Sequence, residues 1–131
     1  MKKTGILNYK IEEYLSKIGH TQTLVICDPG LPIPQDSEVI DISLLPGIPT
    51  FMQVLTAVSE EMKIEKFIYA SEIKEKNPQL LASISSVLAG IPSEEVPHET
   101  LKKMSHDSIV FIRTGECSSF ANVLLVAGVT F

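Results

Sequence analysis

Three histidines hold most of this chain's capacity for proton transfer near neutral pH: His20, His98 and His106. An unperturbed imidazole titrates near pH ~6.5 and so both gives and takes a proton under those conditions. In "IGHTQTLVICDPG", His20 precedes a short apolar run and Asp28 follows it. A carboxylate beside an imidazole can hold the ring in one tautomer, which is what general acid–base work requires. Both residues also have ordinary readings, since a histidine just past a helix end partners the helix dipole and Asp-Pro-Gly is common turn chemistry. His98 and Lys102 are four apart in "HETLKKM" and project from one helix face, as a site or as a solvated pair. His106, between Ser105 and Asp107, reads as surface.

Other chemistries lack their patterns. The histidines do not fall at the HExxH spacing or form a compact ligand set, so no metal is expected. There is no GxGxxG or Walker loop for a nucleotide and no GxSxG for a serine nucleophile. Cys27 sits inside a strand pattern and Cys117 in a loop, without the paired spacing of a zinc or redox motif, so both are expected to be reduced.

The elements that must position these residues follow from periodicity. Asn8 caps a helix whose Ile11, Tyr14, Leu15 and Ile18 recur on one face, with Gly19 as its stop. "TLVIC" (23–27) is apolar throughout and suits a strand covered on both faces. A weaker strand is predicted over 38–42, then a helix capped by Thr50 with Phe51, Val54, Leu55, Val58 and Met62 inward, a strand over 66–70 and a helix over 77–88. A short strand near Val96, the "HETLKKM" helix, a strand over 108–112 and a last strand from 123 complete the series. Strands of about five residues alternating with helices of about ten predict an α/β fold, a three-layer α/β/α arrangement with a mostly parallel central sheet. The last strand has no helix before it, only the loop 113–122, and is expected to run antiparallel or at an edge. Ligands of such sheets collect outside the carboxyl ends of the strands, which brings Asp28 and the Arg113–Thr114–Gly115–Glu116 stretch into view.

The 131 residues fit one domain, 1–131, with 44% hydrophobic and 21% charged residues and a net charge of −5. That balance gives no electrostatic reason to approach nucleic acid or an anionic membrane. No run approaches the ~18 apolar residues of a membrane span, and "MKKTGILNYK" lacks the apolar core of a signal peptide. A cytoplasmic protein is expected.

The stretches "KKTGILN", "GHTQTLVICDPGLPIP", "IDISLLPGIPTF", "ASEIK" and "IRTGECSSFANVLLVAGVTF" together resemble the D-ribose pyranase family, whose relatives include the fucose mutarotases, over nearly the whole chain. The resemblance implies an isomerase that interconverts pyranose and furanose forms of free D-ribose, and its anomers, with no metal or organic cofactor. The alternatives it leaves are a mutarotase for fucose or another aldose, and a non-catalytic sugar-binding homologue. It further implies that His20 is the catalytic proton donor and that Asp28 and His98 bind sugar, with Lys102 lining the same pocket. The family's closing tyrosine, small residue and asparagine fall on Phe120, Ala121 and Asn122, so here phenylalanine stands where the family has a phenol. Finally, it implies a homo-oligomer, a pentamer or decamer, with the site shared between subunits. The apolar tail "LLVAGVTF" agrees with association, being costly to expose on a monomer.

Overall fold

The computed structural model describes residues 1–131. Helix α1 (Tyr9–Lys17) starts where the Asn8 side chain accepts from the backbone N–H groups of Lys10 and Ile11, at 3.0 and 3.1 Å. This satisfies two donors that a helix start otherwise leaves free. Helix α2 (Phe51–Glu61) opens with a capping box in which Thr50 and Gln53 each accept from the other's backbone N–H. A single turn, α3 (Ile73–Lys76), precedes α4 (Pro78–Val87), and α5 (His98–Ser105) comes late in the chain. The strands are β1 (Thr23–Cys27), β2 (Val39–Asp41), β3 (Ile64–Ala70), β4 (Ser93–Val96), β5 (Val110–Arg113) and β6 (Val123–Ala127). No helix is long and apolar enough to cross a membrane.

All six strands join one sheet in the order β2-β5-β1-β6-β3-β4. β5 pairs parallel with both β1 and β2, and β3 pairs parallel with β4, whereas β6 runs antiparallel to β1 and to β3. The sheet is therefore mostly parallel, with its last strand reversed. Of the two expected placements for that strand the antiparallel one holds: β6 lies inside the sheet between β1 and β3, with its Val123, Leu124 and Leu125 buried.

Alternation along β1 shows why the strand has no polar face. Leu24 and Ile26 join a core of 22 buried residues with Ile11 of α1, Val54 of α2, Ile73 of α3 and Leu80 of α4. Val25 and Cys27 point the other way, into a core of 9 with Leu31, Val96 and Leu101 of α5. The three layers are unequal, four helices on one side and α5 with the 28–33 loop on the other.

Strand direction decides which residues can meet. The carboxyl ends of β1, β3, β4 and β5 share one rim of the sheet with the amino end of β6. The opposite rim gathers the amino ends of β1 and β3 and the carboxyl end of β6.

Candidate functional site

At the carboxyl rim, the antiparallel register Ile26↔Val123 places Asp28, just past β1, beside Asn122, just before β6. The Asn122 side chain accepts from the Asp28 backbone N–H at 3.0 Å and donates to the Asp28 carboxylate at 2.8 Å. The other carboxylate oxygen of Asp28 accepts from Gly30 N–H at 2.8 Å, the turn-closing bond that aspartate favours in Asp-Pro-Gly. Arg113, at the end of β5, donates to the Pro29 carbonyl at 2.9 Å and to Asp41 at 2.7 Å, tying the same loop to β2. Burial works to raise the Asp41 pKa, but hydrogen bonds from Ser43 and Arg113 outweigh it and hold the carboxyl below its usual value.

His98 opens α5 and donates its backbone N–H to Glu72 at 2.9 Å. Its ring meets Phe120 edge-on, with centroids 5.1 Å apart, and its Nδ1 is buried with no hydrogen-bond partner. Such unpaired buried atoms are uncommon and call for a reason. Phe120 adopts a left-handed backbone, φ 57°, which is rare for a bulky side chain. The bend is held by Asn77, which donates to the Ser119 carbonyl at 2.9 Å, and by Asn122 N–H, which donates to the Phe120 carbonyl at 2.8 Å.

These residues enclose a cavity of about 280 Å³ lined by Asp28, Gly30, Leu31, His98, Ser119, Phe120 and Asn122. Carboxylate, imidazole, amide and hydroxyl around one aromatic ring form a lining suited to a small polyol, with hydrogen bonds to its hydroxyls and a flat apolar face for its carbons. A second cavity of about 370 Å³ adjoins through Asp28, Gly30 and Ser119 and extends to Glu116 and Cys117. The groove of about 350 Å³ between α1 and α2 is different in kind, with apolar walls and Gln53 as its polar residue, and offers a sugar little.

His20 is on the other rim. It sits in the turn Gly19–Gln22, closed by Gln22 N–H donating to the Gly19 carbonyl at 3.1 Å, and its Nε2 lies 2.9 Å from Glu65 Oε2. β1, roughly 17 Å long at ~3.3 Å per residue, separates it from Asp28. The expected pairing of His20 with Asp28 within one chain is thus corrected: residues that flank a strand emerge at opposite ends of it. The carboxylate beside His20 is Glu65, 45 positions away in sequence and brought near through the shared neighbour β6. Gly19 needs correction too. α1 ends at Lys17 with Ile18 already extended, and the left-handed residue of this turn is Thr21, φ 70°.

Lys102 lies one turn beyond His98 but pairs with Glu99 at 2.8 Å and is absent from the cavity wall. Ala121 is fully buried behind Phe120. Thr114 and Glu116 are structural, the first donating to the Cys27 carbonyl at 2.9 Å, the second accepting from Phe51 N–H at 3.1 Å at the start of α2. Burial, with Asp28 adding to it, pushes the Cys27 thiol up to about 12, while Cys117 is exposed. His106 caps the end of α5 at the surface. Ser119, Leu31, Glu65 and Glu72 escape sequence reasoning, because a serine or leucine in a loop and a glutamate in a strand or before a single helical turn carry no pattern of their own.

Comparison with known proteins gives a consistent picture. The model of the RbsD / FucU transport protein family matches residues 1–130. A D-ribose pyranase of Actinobacillus succinogenes is 48% identical over 139 aligned residues, covering 100% of both chains, and one of Geobacillus kaustophilus is 47% identical, covering 100% of this chain and 96% of its own. Bacillus subtilis RbsD complexed with D-ribose superposes with a TM-score of 0.96 at 41% identity, covering 100% of each chain. A fucose mutarotase in complex with L-fucose from Streptococcus pneumoniae shares the fold, with a TM-score of 0.79 at 17% identity over 93% of each chain.

Proposed function

Since this chain belongs to the RbsD / FucU transport protein family, we propose that it is an isomerase interconverting the pyranose and furanose ring forms, and the anomers, of free D-ribose. The observation that carries this reading is the 48% identity to a D-ribose pyranase along the full length of both chains. The polar cavity at the carboxyl rim supplies a place for the sugar, sized for a single monosaccharide.

Ring interconversion needs a proton at the ring oxygen while one leaves the anomeric hydroxyl, and closure through a different hydroxyl reverses the traffic. His20 is the proton donor. Asp28, His98 and Asn122 hold hydroxyls, with Phe120 and the backbone around Ala121 closing the pocket and Lys102 at its margin; no cofactor takes part. His20 and the cavity occupy opposite rims of one chain, so the working site joins His20 of one copy to the cavity of the next, within a pentamer or decamer in the cytoplasm. Leu44, Leu45 and Ile48 support that assembly. They are exposed on the loop after β2, and Leu44 and Leu45 line a further pocket with Pro29, Gly115 and Cys117, next to the cavity. Exposed apolar clusters of this kind mark contact surfaces.

Saturation-transfer NMR on ribose tests the activity directly. Added protein should accelerate pyranose–furanose exchange, and His20→Ala should remove the acceleration while circular dichroism stays unchanged. Binding of ribose without acceleration by the unaltered protein would replace the isomerase with a sugar-binding role, and a panel including fucose would reveal a different aldose.

A further inference from the structure

We infer that Glu65 is a positioning residue for His20, holding the imidazole through Nε2 so that Nδ1 is the atom at which the proton comes and goes. This rests on the reading of His20 as proton donor.

The contact itself is a 2.9 Å bond between Nε2 and Glu65 Oε2, with both side chains about half exposed. A surface pair of that sort is commonplace and weak. The backbone beneath it is not commonplace. β3 and β6 pair Ile64 with Ala127 and Lys66 with Val126, so the register slips between them and Glu65 is the extra residue of a β-bulge. Bulges re-aim a side chain that regular pleating would send elsewhere, and they recur beside active sites. On the histidine's side, Thr21 holds a left-handed φ of 70°, a conformation β-branched residues avoid. The two distortions share an anchor. Thr21 N–H donates to the Ala127 carbonyl at 2.9 Å, and Ala127 is the residue opposite Ile64 at the bulge.

Gly128 completes the arrangement. A Cβ at that position would stand 3.1 Å from the Glu65 Cβ, so the exit of β6 passes close against the glutamate and a side chain there would press on it. The neighbouring cation on β3, Lys66, is engaged with Glu94, leaving Glu65 to the imidazole. A left-handed residue beside the histidine and a bulge at the glutamate, tied through one residue of a third strand, are local irregularities of the kind that recur where geometry matters.

The chemical consequence is a fixed tautomer. In the neutral ring the hydrogen sits on the nitrogen facing the carboxylate, Nε2, and the lone pair is left on Nδ1. Without Glu65 both tautomers are populated and the ring turns more freely about χ2. The effect falls on turnover and leaves sugar affinity alone, because the hydroxyl-binding groups are elsewhere.

The experiment combines exchange kinetics with ring ¹⁵N NMR of His20 in the full-length protein. Glu65→Ala should lower kcat about 10- to 100-fold with KM for ribose within about twofold, and the ¹⁵N shifts should change from one Nε2–H tautomer to a mixture. Glu65→Gln, which can still accept from Nε2–H, should keep the tautomer and recover much of the rate. A kcat for Glu65→Ala within about twofold of the unaltered protein, or an unchanged tautomer, overturns the inference while an inactive His20→Ala keeps the broader reading intact. If His20→Ala itself exchanges ribose at the full rate, both fall together.

Discussion

Asn122 fastens Asp28 twice, accepting from its backbone N–H at 3.0 Å and donating to its carboxylate at 2.8 Å, across the boundary between β1 and the reversed strand β6. Asn122 is 2% exposed, so neither bond has water as a ready replacement. Asn122→Ala should cost about 1 to 3 kcal/mol in urea unfolding and weaken ribose binding in calorimetry. Asn122→Asp should be worse for binding, since it sets a second carboxylate against the first. Unchanged affinity in both variants would mean that the sugar does not depend on how Asp28 is held.

Subunit complementation tests the proposal that two copies share one site. His20→Ala and Asp28→Ala should each be inactive alone, yet hybrids from co-expression should regain about a quarter of the unaltered activity, the share of head-to-tail contacts that pair two intact halves under random mixing. Activity that stays absent in proven hybrids places both residues' work within one chain and contradicts the separation of the two rims.

Phe120 keeps an aromatic ring against His98, 5.1 Å between centroids, but carries no hydroxyl. Adding one by Phe120→Tyr should raise kcat/KM by about 2- to 10-fold, the worth of one neutral hydrogen bond of ~0.5 to 1.5 kcal/mol. No gain would assign that hydrogen bond to Ser119 or to water.

Gly115 shows where a single methyl group is not tolerated. A Cβ there would lie 2.2 Å from the Ile48 carbonyl oxygen and 2.7 Å from that of Leu45, both backbone atoms that cannot swing aside. Gly115→Ala should therefore destabilise by at least about 1 to 3 kcal/mol, read from the denaturant midpoint, and disturb the loop that carries Leu44 and Leu45. Stability equal to the unaltered protein would show that the loop moves freely.

The thiols differ in a way that reagents can read. Cys117 is exposed and Cys27 is buried with its pKa pushed up to about 12, so Ellman's reagent should titrate one thiol in the native protein and two after unfolding. A folded-state value raised above the ordinary 9.0 favours the neutral thiol, so its stabilising effect is complete below pH 9 and is lost as pH rises toward 12. Cys27→Ala should flatten that alkaline loss.

Local physics was legible from the residues alone, and long-range geometry was not. The caps at Asn8 and Thr50, the apolar β1 and the inward face of α2 all follow from neighbours a few positions apart. Asp28 could be placed at a strand end, where ligands gather. "VLLVA" is as apolar throughout as "TLVIC" and so reads as a covered strand, but nothing in it says which strands it will separate. The bulge at Glu65 could not be read either, since it exists only as a mismatch between β3 and β6. The His20–Asp28 pairing within one chain failed for the same reason: closeness in sequence across a strand is distance in space. Family likeness supplied the grouping of Asp28, His98, Phe120 and Asn122 that the fold does bring together.

The central placement of β6 also decides what a chain without that strand would be. β1, β2 and β5 can pair among themselves, and so can β3 with β4, but no ladder joins these two groups except through residues 123–127. Without residues 123–127 the chain has no ladder to join those two groups, and the edges of β1 and β3 that flank β6 have no partner. A stalled or clipped product lacking that strand leaves those edges open, which makes it prey for chaperones and proteases and no slightly weakened version of the finished molecule.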